Sequence, residues 1–174
     1  MNRLHLYWGT GKGKTTAAMG LALRALGHRR RVLIAQFMKS GVSGELDALR
    51  TFDRAIVYDA VPVRGFIFQM SPEQKDAVRA GQTRMALTLS DTIRREKPEM
   101  IILDELAVAW QCGMVEEAAA IALVETALTF GETVVTGRDA PEWLLRHADY
   151  ISRIDAERHP YKTESLQARE GVEW

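Results

Sequence analysis

Apolar residues fall along this chain in short runs separated by stretches of helical spacing. Residues 3–8 read as a buried strand. Residues 15–26 carry Ala17, Ala18, Met19, Leu21, Ala22, Leu23, Ala25 and Leu26, which predicts a helix apolar nearly all round and heavily buried, with Gly27 fitting its C-cap. Residues 32–37 form a continuous apolar run suited to a parallel strand covered on both faces. Two glycines and two serines make 38–45 a loop at that strand's carboxyl end, and 55–58 is a short third strand. Residues 60–70 have no helical period, yet hold more apolar side chains than an ordinary solvated loop.

Ser71-Pro72-Glu73-Gln74 has capping-box spacing with proline in the first turn, and Val78, Met85, Leu89 and Ile93 mark one face of a long helix ending before Pro98. Further on come a strand at 100–105, a helix at 116–130 closed by Gly131, and a strand at 133–136. A short helix at 140–147, a last strand at 150–154 and an irregular tail complete the chain. Strands alternating with helices predict an α/β fold: a mostly parallel sheet with helices on both faces, in one domain over residues 1–174. In such sheets ligands bind at the carboxyl ends of the strands.

Two stretches at that edge carry chemistry. Gly9-Thr10-Gly11-Lys12-Gly13-Lys14-Thr15-Thr16 lies between the first strand and its helix, the context of a phosphate-binding loop. Glycines let successive N–H groups turn toward an anion, and the helix start adds unpaired N–H groups and the positive end of its dipole. Lys14 would meet the outer phosphates and the Thr15 hydroxyl would ligate Mg²⁺. Trp8 stands where the usual pattern has its first glycine. A glycine-rich turn with no ligand is the bland alternative, but Lys12 and Lys14 crowded into it would repel each other without an anion. The second stretch, Met100-Ile101-Ile102-Leu103-Asp104-Glu105, runs four apolar residues into paired acids, a Walker B pattern in which at least one acid serves the metal. Two acids capping the following helix would be the alternative. Together these make the expected architecture P-loop NTPase-like and RecA-like.

Composition narrows this picture. Lys plus Arg and Asp plus Glu balance at 23 each, so no global field draws the protein to nucleic acid or an anionic membrane, and phosphate recognition must be local. The single cysteine, Cys112, permits no internal disulfide and by default is a buried core residue. No signal-peptide pattern or membrane-length apolar run is found, and the expectation is a cytoplasmic protein. Lys12, Lys14, Thr15, Asp104, Glu105 and Arg138 suffice to bind a nucleoside triphosphate with magnesium, but they do not choose between hydrolysis and transfer.

Several motifs in order resemble the P-loop ATP:corrinoid adenosyltransferases. They are the phosphate loop with Gly20-Leu21-Ala22-Leu23-Arg24-Ala25-Leu26-Gly27-His28; Gln36-Phe37-Met38-Lys39 with Glu45; Gly65-Phe66-Ile67-Phe68; Leu103-Asp104-Glu105; and Thr136-Gly137-Arg138. The tail motifs His159-Pro160-Tyr161 and Gln167-Ala168-Arg169-Glu170-Gly171-Val172-Glu173-Trp174 follow. The resemblance implies that Co(I) of a reduced corrinoid attacks the 5′ carbon of ATP and expels triphosphate, as in making adenosylcobalamin. Residues 9–15 would then cradle the leaving group, with Thr16 beside them. Lys12, Lys14 and a Mg²⁺ or Mn²⁺ ion on Thr15 and the 104–105 pair would stabilise its charge. Arg138 would assist, or be a surface arginine in a turn.

Phe66 and Phe68 match positions where the family packs aromatics below the corrin ring, displacing the lower axial ligand; read without the resemblance, their i, i+2 spacing would equally suit a strand's inner face, as core residues. His147 and His159 read as structural. The resemblance further implies a homodimer and a flavoprotein reductant. The chain departs from the family at Thr10, where asparagine is usual, and at Phe68, where tryptophan is usual. It also departs in front of its first strand, where the family carries a helical segment that helps cover the site. A P-loop ATPase or kinase-like protein, and a nucleotide- or corrinoid-binding module without turnover, are the competing readings.

Overall fold

A computed structural model describes residues 1–39, 43–63, 65 and 67–172, with Lys162 described by its backbone alone. Six strands form one sheet: β1 (Leu4–Trp8), β2 (Val32–Gln36), β3 (Ala55–Val57), β4 (Met100–Asp104), β5 (Glu132–Gly137) and β6 (Tyr150–Arg153). Their order is β3-β2-β4-β5-β1-β6 and every pairing is parallel. β5 therefore separates the strand that delivers the glycine loop from the strand that delivers the paired acids. The registers set Trp8 level with Gly137 and Arg153, and Gln36 level with Asp104, so the chemistry-bearing turns leave the sheet along one edge.

Alternation along the strands divides the core in two. Leu33, Ala35, Ile101, Leu103 and Val135 face a cluster built with α3 (Pro72–Glu96), α4 (Leu106–Gln111), α5 (Glu117–Phe130) and α6 (Glu142–His147). Val32, Ile34, Met100, Ile102 and Val134 face a second cluster built with α1 (Lys14–Gly27) and α2 (Gly44–Arg50). Helices on both faces explain why β2 and β4 are buried along their whole lengths. α3 starts as its sequence predicts: the Ser71 hydroxyl accepts from the Gln74 N–H, and the Gln74 side chain accepts from the Ser71 N–H. It ends at Lys97, in left-handed conformation, before Pro98.

Several expectations change. α2, α4 and α7 (Pro160–Glu164) are helices within stretches the apolar pattern left without one. Gly27 lies inside the last turn of α1, and the left-handed residue that closes it is Arg29. α1 is not buried all round: Thr16, Gly20 and Leu23 are exposed, the last at 50%. Cys112 is exposed, because α4 turns Leu106, Ala107, Ala109 and Trp110 inward and the cysteine follows its last turn. Residues 67–69 make a turn of 3-10 helix in which Phe68 is 79% exposed, so it is not the inner face of a strand. Among the described residues no helix is long and apolar enough to cross a membrane.

Candidate active site

The glycine loop joins β1 to α1 and is braced on its outer side. The Gly9 N–H donates to the Arg138 carbonyl (3.0 Å) and the Gly11 N–H to the Ile154 carbonyl (2.8 Å). Gly9 has φ +117°, and a Cβ there would lie 2.4 Å from the Ile154 oxygen, so glycine is required on both counts. The Thr10 N–H and hydroxyl both reach Asp155 Oδ1 at 3.4 Å. The front of the loop is thus fastened to the ends of β5 and β6. Lys12, Gly13, Lys14, Thr15 and Thr16, which all line the adjoining cavity, are the residues placed to offer N–H groups to an anion.

That cavity has a volume of about 810 Å³. Residues 11–16 line it with Lys39 and Glu105; Met19 and Leu23 of α1, Ala48 and Leu49 of α2, and Phe52 add an apolar stretch, beside which Ser43 and Glu45 are polar. The face of α1 left open by the core is therefore cavity wall, and the surplus of apolar residues in that helix was its sign in the sequence. Lys14 Nζ folds back on the Gly11 carbonyl at 2.6 Å. Burial lowers its pKa most; Glu105 acts in the opposite sense, and the Arg138 charge lowers it further. Arg138 is exposed and close enough to act on Lys14, but it is not part of the cavity lining. Lys12 Nζ donates to the carbonyl of Val172 at 2.8 Å, which draws the tail across the loop; Gly171 and Val172 complete the lining.

Asp104 sits behind this lining, wholly buried. Its Oδ1 accepts from the hydroxyls of Thr15 (2.9 Å) and Thr136 (2.7 Å), and its Oδ2 from Gln36 Nε2 (3.1 Å) and Lys39 Nζ (2.8 Å). Gln36 is itself buried, and the acceptor-only carboxylate forces its amide N toward Asp104. Gln36 Oε1 is left without a hydrogen-bond partner among the described residues. Glu105 is left-handed at φ 60° and occupies the N-cap position of α4, but its side chain makes no capping bond. Its N–H donates to Thr136 Oγ1 at 3.0 Å and its carboxyl lines the cavity. Burial, and then the neighbouring Asp104 charge, push its pKa up, against the pull of Lys39 and Lys14.

The fold thus brings Lys12, Lys14, Thr15, Asp104 and Glu105 together, as the sequence reading expects. Phe68 stands outside the cavity lining, and Phe66, Glu173 and Trp174 lie outside the described residues. His147 stacks on Trp143, and His159 caps α7 through its ring nitrogen, both structural positions. Sequence reasoning gave no role to Thr136, Gln36 or Lys39, although all three lie in motifs it singled out. Their convergence on Asp104 depends on β2 and β5 flanking β4, an order no local pattern encodes.

A family model described as ATP:corrinoid adenosyltransferase BtuR/CobO/CobP matches residues 1–174. The chain is 30% identical over 173 residues to the corrinoid adenosyltransferase of Pseudomonas aeruginosa, a match covering 98% of this chain and 83% of that one. It is 29% identical over 178 residues to the corrinoid adenosyltransferase CobA of Salmonella typhimurium, and 30% over 174 residues to that of Escherichia coli K12. Each of these matches covers 97% of this chain and 84% of the relative. With a match running from residue 1 to residue 174, and a glycine-rich loop set over a buried acid at the sheet edge, the chain belongs to the ATP:corrinoid adenosyltransferase family.

Proposed function

We propose that this protein transfers the 5′-deoxyadenosyl group of ATP to the Co(I) centre of a reduced corrinoid, releasing triphosphate. The cobalt electron pair forms the Co–C5′ bond, the C5′–O bond breaks, and its electrons leave with the triphosphate. The observation that supports this reading most is the cavity itself, which is lined by Lys12, Lys14 and Lys39, by the acids Glu45 and Glu105, and by the apolar stretch of Met19, Leu23, Ala48, Leu49 and Phe52. Residues 12–16 hold the triphosphate as a leaving group, and Gly9, Thr10 and Gly11 hold the loop in shape. The ammonium groups of Lys12 and Lys14 take up charge that grows on the bridging oxygen as the bond breaks. Arg138 acts on the same charge from outside the lining.

The residues also fit a Mg²⁺ ion. The Thr15 hydroxyl donates a hydrogen bond to Asp104, which leaves its oxygen lone pairs for a cation, and Glu105 lines the same cavity. Among the described residues no group of three or more His, Cys, Asp and Glu side chains is arranged to hold a metal. Most ligands would then come from phosphate and water, as Mg²⁺ prefers. When bound, the ion would supply Lewis-acid stabilisation of the triphosphate; Mn²⁺ would serve as well. Exposed Phe68, with Phe66 near it in sequence, is the surface we assign to the corrinoid's lower face, where an apolar wall offers cobalt no donor atom. A single cytoplasmic domain acting as a homodimer, supplied with electrons by a flavoprotein, completes the proposal.

The test is an anaerobic incubation of protein, Mg·ATP and chemically reduced cobalamin, followed by absorbance and phosphate analysis. Light-sensitive adenosylcobalamin is expected together with triphosphate. Orthophosphate released regardless of corrinoid would replace this reading with an ATPase, and ATP binding without product would leave a binding module.

A further inference from the structure

The four hydrogen bonds to Asp104 have a consequence for Lys39. A carboxylate offers about four lone-pair sites, and here all are taken, two by hydroxyls, one by an amide and one by an ammonium. Only two of these donors line the cavity, Thr15 and Lys39, and only Lys39 carries charge. Its pairing with Asp104 is unequal. The carboxylate is fixed and wholly buried, whereas the lysine side chain is 28% exposed on a flexible stem. Among the described residues Lys39 meets Asp104 directly, favours ionisation of Glu105 together with Lys14, and meets Gln36 through the shared Asp104 carboxylate. A divalent cation between Thr15 and the acids would neutralise the same two carboxylates that Lys39 now neutralises. Two cations cannot both make close contact there without strong repulsion.

We propose that Lys39 is a further catalytic cation of this site: it neutralises Asp104 while no metal is bound, and turns to the triphosphate when Mg²⁺ takes over that role. The inference rests on the metal reading given above. It makes the exchange nearly balanced in charge, since the carboxylates are never left bare in the interior and the ammonium released still lines the cavity. It also gives the phosphates a third lysine that reaches them only once the metal is present.

Two binding measurements on the full chain test it, with opposite expected signs. In nucleotide-free protein, Mn²⁺ binding followed by electron paramagnetic resonance should be about tenfold tighter in Lys39→Met than in wild type, because a competing charge has gone. With Mg²⁺ present, inorganic triphosphate measured by calorimetry should bind roughly tenfold more weakly to Lys39→Met, and close to wild type for Lys39→Arg. A lysine with a merely structural role would weaken both. Equal Mn²⁺ affinity in both proteins, no Mn²⁺ binding by either, or unchanged triphosphate affinity would overturn the proposal. If Lys39→Met does not fold, amine labelling of wild type read by mass spectrometry replaces it. Labelling of Lys39 should rise with Mn²⁺ alone and fall with Mg²⁺ and triphosphate, and labelling indifferent to the metal would be equally fatal. Neither measurement contains corrinoid, so failure here leaves adenosyl transfer standing, and failure of the transfer assay leaves the exchange intact.

Discussion

A single hydroxyl, that of Thr136, orders both acids: it donates to Asp104 Oδ1 and accepts from the Glu105 N–H. Thr136→Val keeps the shape but leaves a backbone donor and a buried carboxylate each short of a partner. Its cost should be about 1–3 kcal/mol in urea denaturation, with Thr136→Ser close to wild type. Glu105 gives a prediction in pH. Its carboxyl is raised in the fold, so between the ordinary carboxylate range and the raised value the native state binds more protons than the unfolded chain, and stability falls as pH rises through that window. In metal-free protein, Glu105→Gln should remove this decline and be the more stable at neutral pH. The glycines of the loop differ in kind. Gly9→Ala meets both a left-handed φ and the Ile154 carbonyl, whereas Gly13→Ala has the φ penalty but open space around it. Thermal melting should therefore drop several degrees further for Gly9→Ala.

At the scale of elements, what could be read in advance followed from length and spacing. α3 runs 25 residues and opens with a reciprocal capping box, so both its period and its start are written locally. Ser71→Ala should cost about 1 kcal/mol in chemical denaturation and leave nucleotide binding unchanged, since α3 contributes no side chain to the cavity lining. The helices missed, α2, α4 and α7, have 7, 6 and 5 residues. Segments that short complete fewer than two turns, and packing holds them more than propensity does. Excess apolar character in α1 was visible, but not its meaning, because core wall and cavity wall draw on the same residues. The positions of the glycine loop and the 104–105 pair were legible because each sits where a strand ends. Thr136, Lys39 and Gln36 were not, because their common partner lies on a third strand.

Taken as a whole molecule, the site is assembled from segments far apart in the chain, and its tail is tied to its head. The Val172 carbonyl accepts from Lys12 Nζ, so if Lys12 meets the triphosphate as proposed, that bond to the tail must break. Lys12→Ala should raise deuterium uptake over residues 168–172 without ligand and abolish the change that Mg·ATP produces in wild type.

The loop's other anchor is β6, an edge strand, whose four residues are all exposed and whose end supplies the Ile154 carbonyl to Gly11. A protein heated slowly loosens first where least is buried. The order of failure is therefore set by the architecture: the strand at the rim lets go while the central strands hold, and the glycine loop loses its brace with it. Activity should decay several degrees below the global melting transition, recover on cooling, and reveal a warm state that is still folded and already silent.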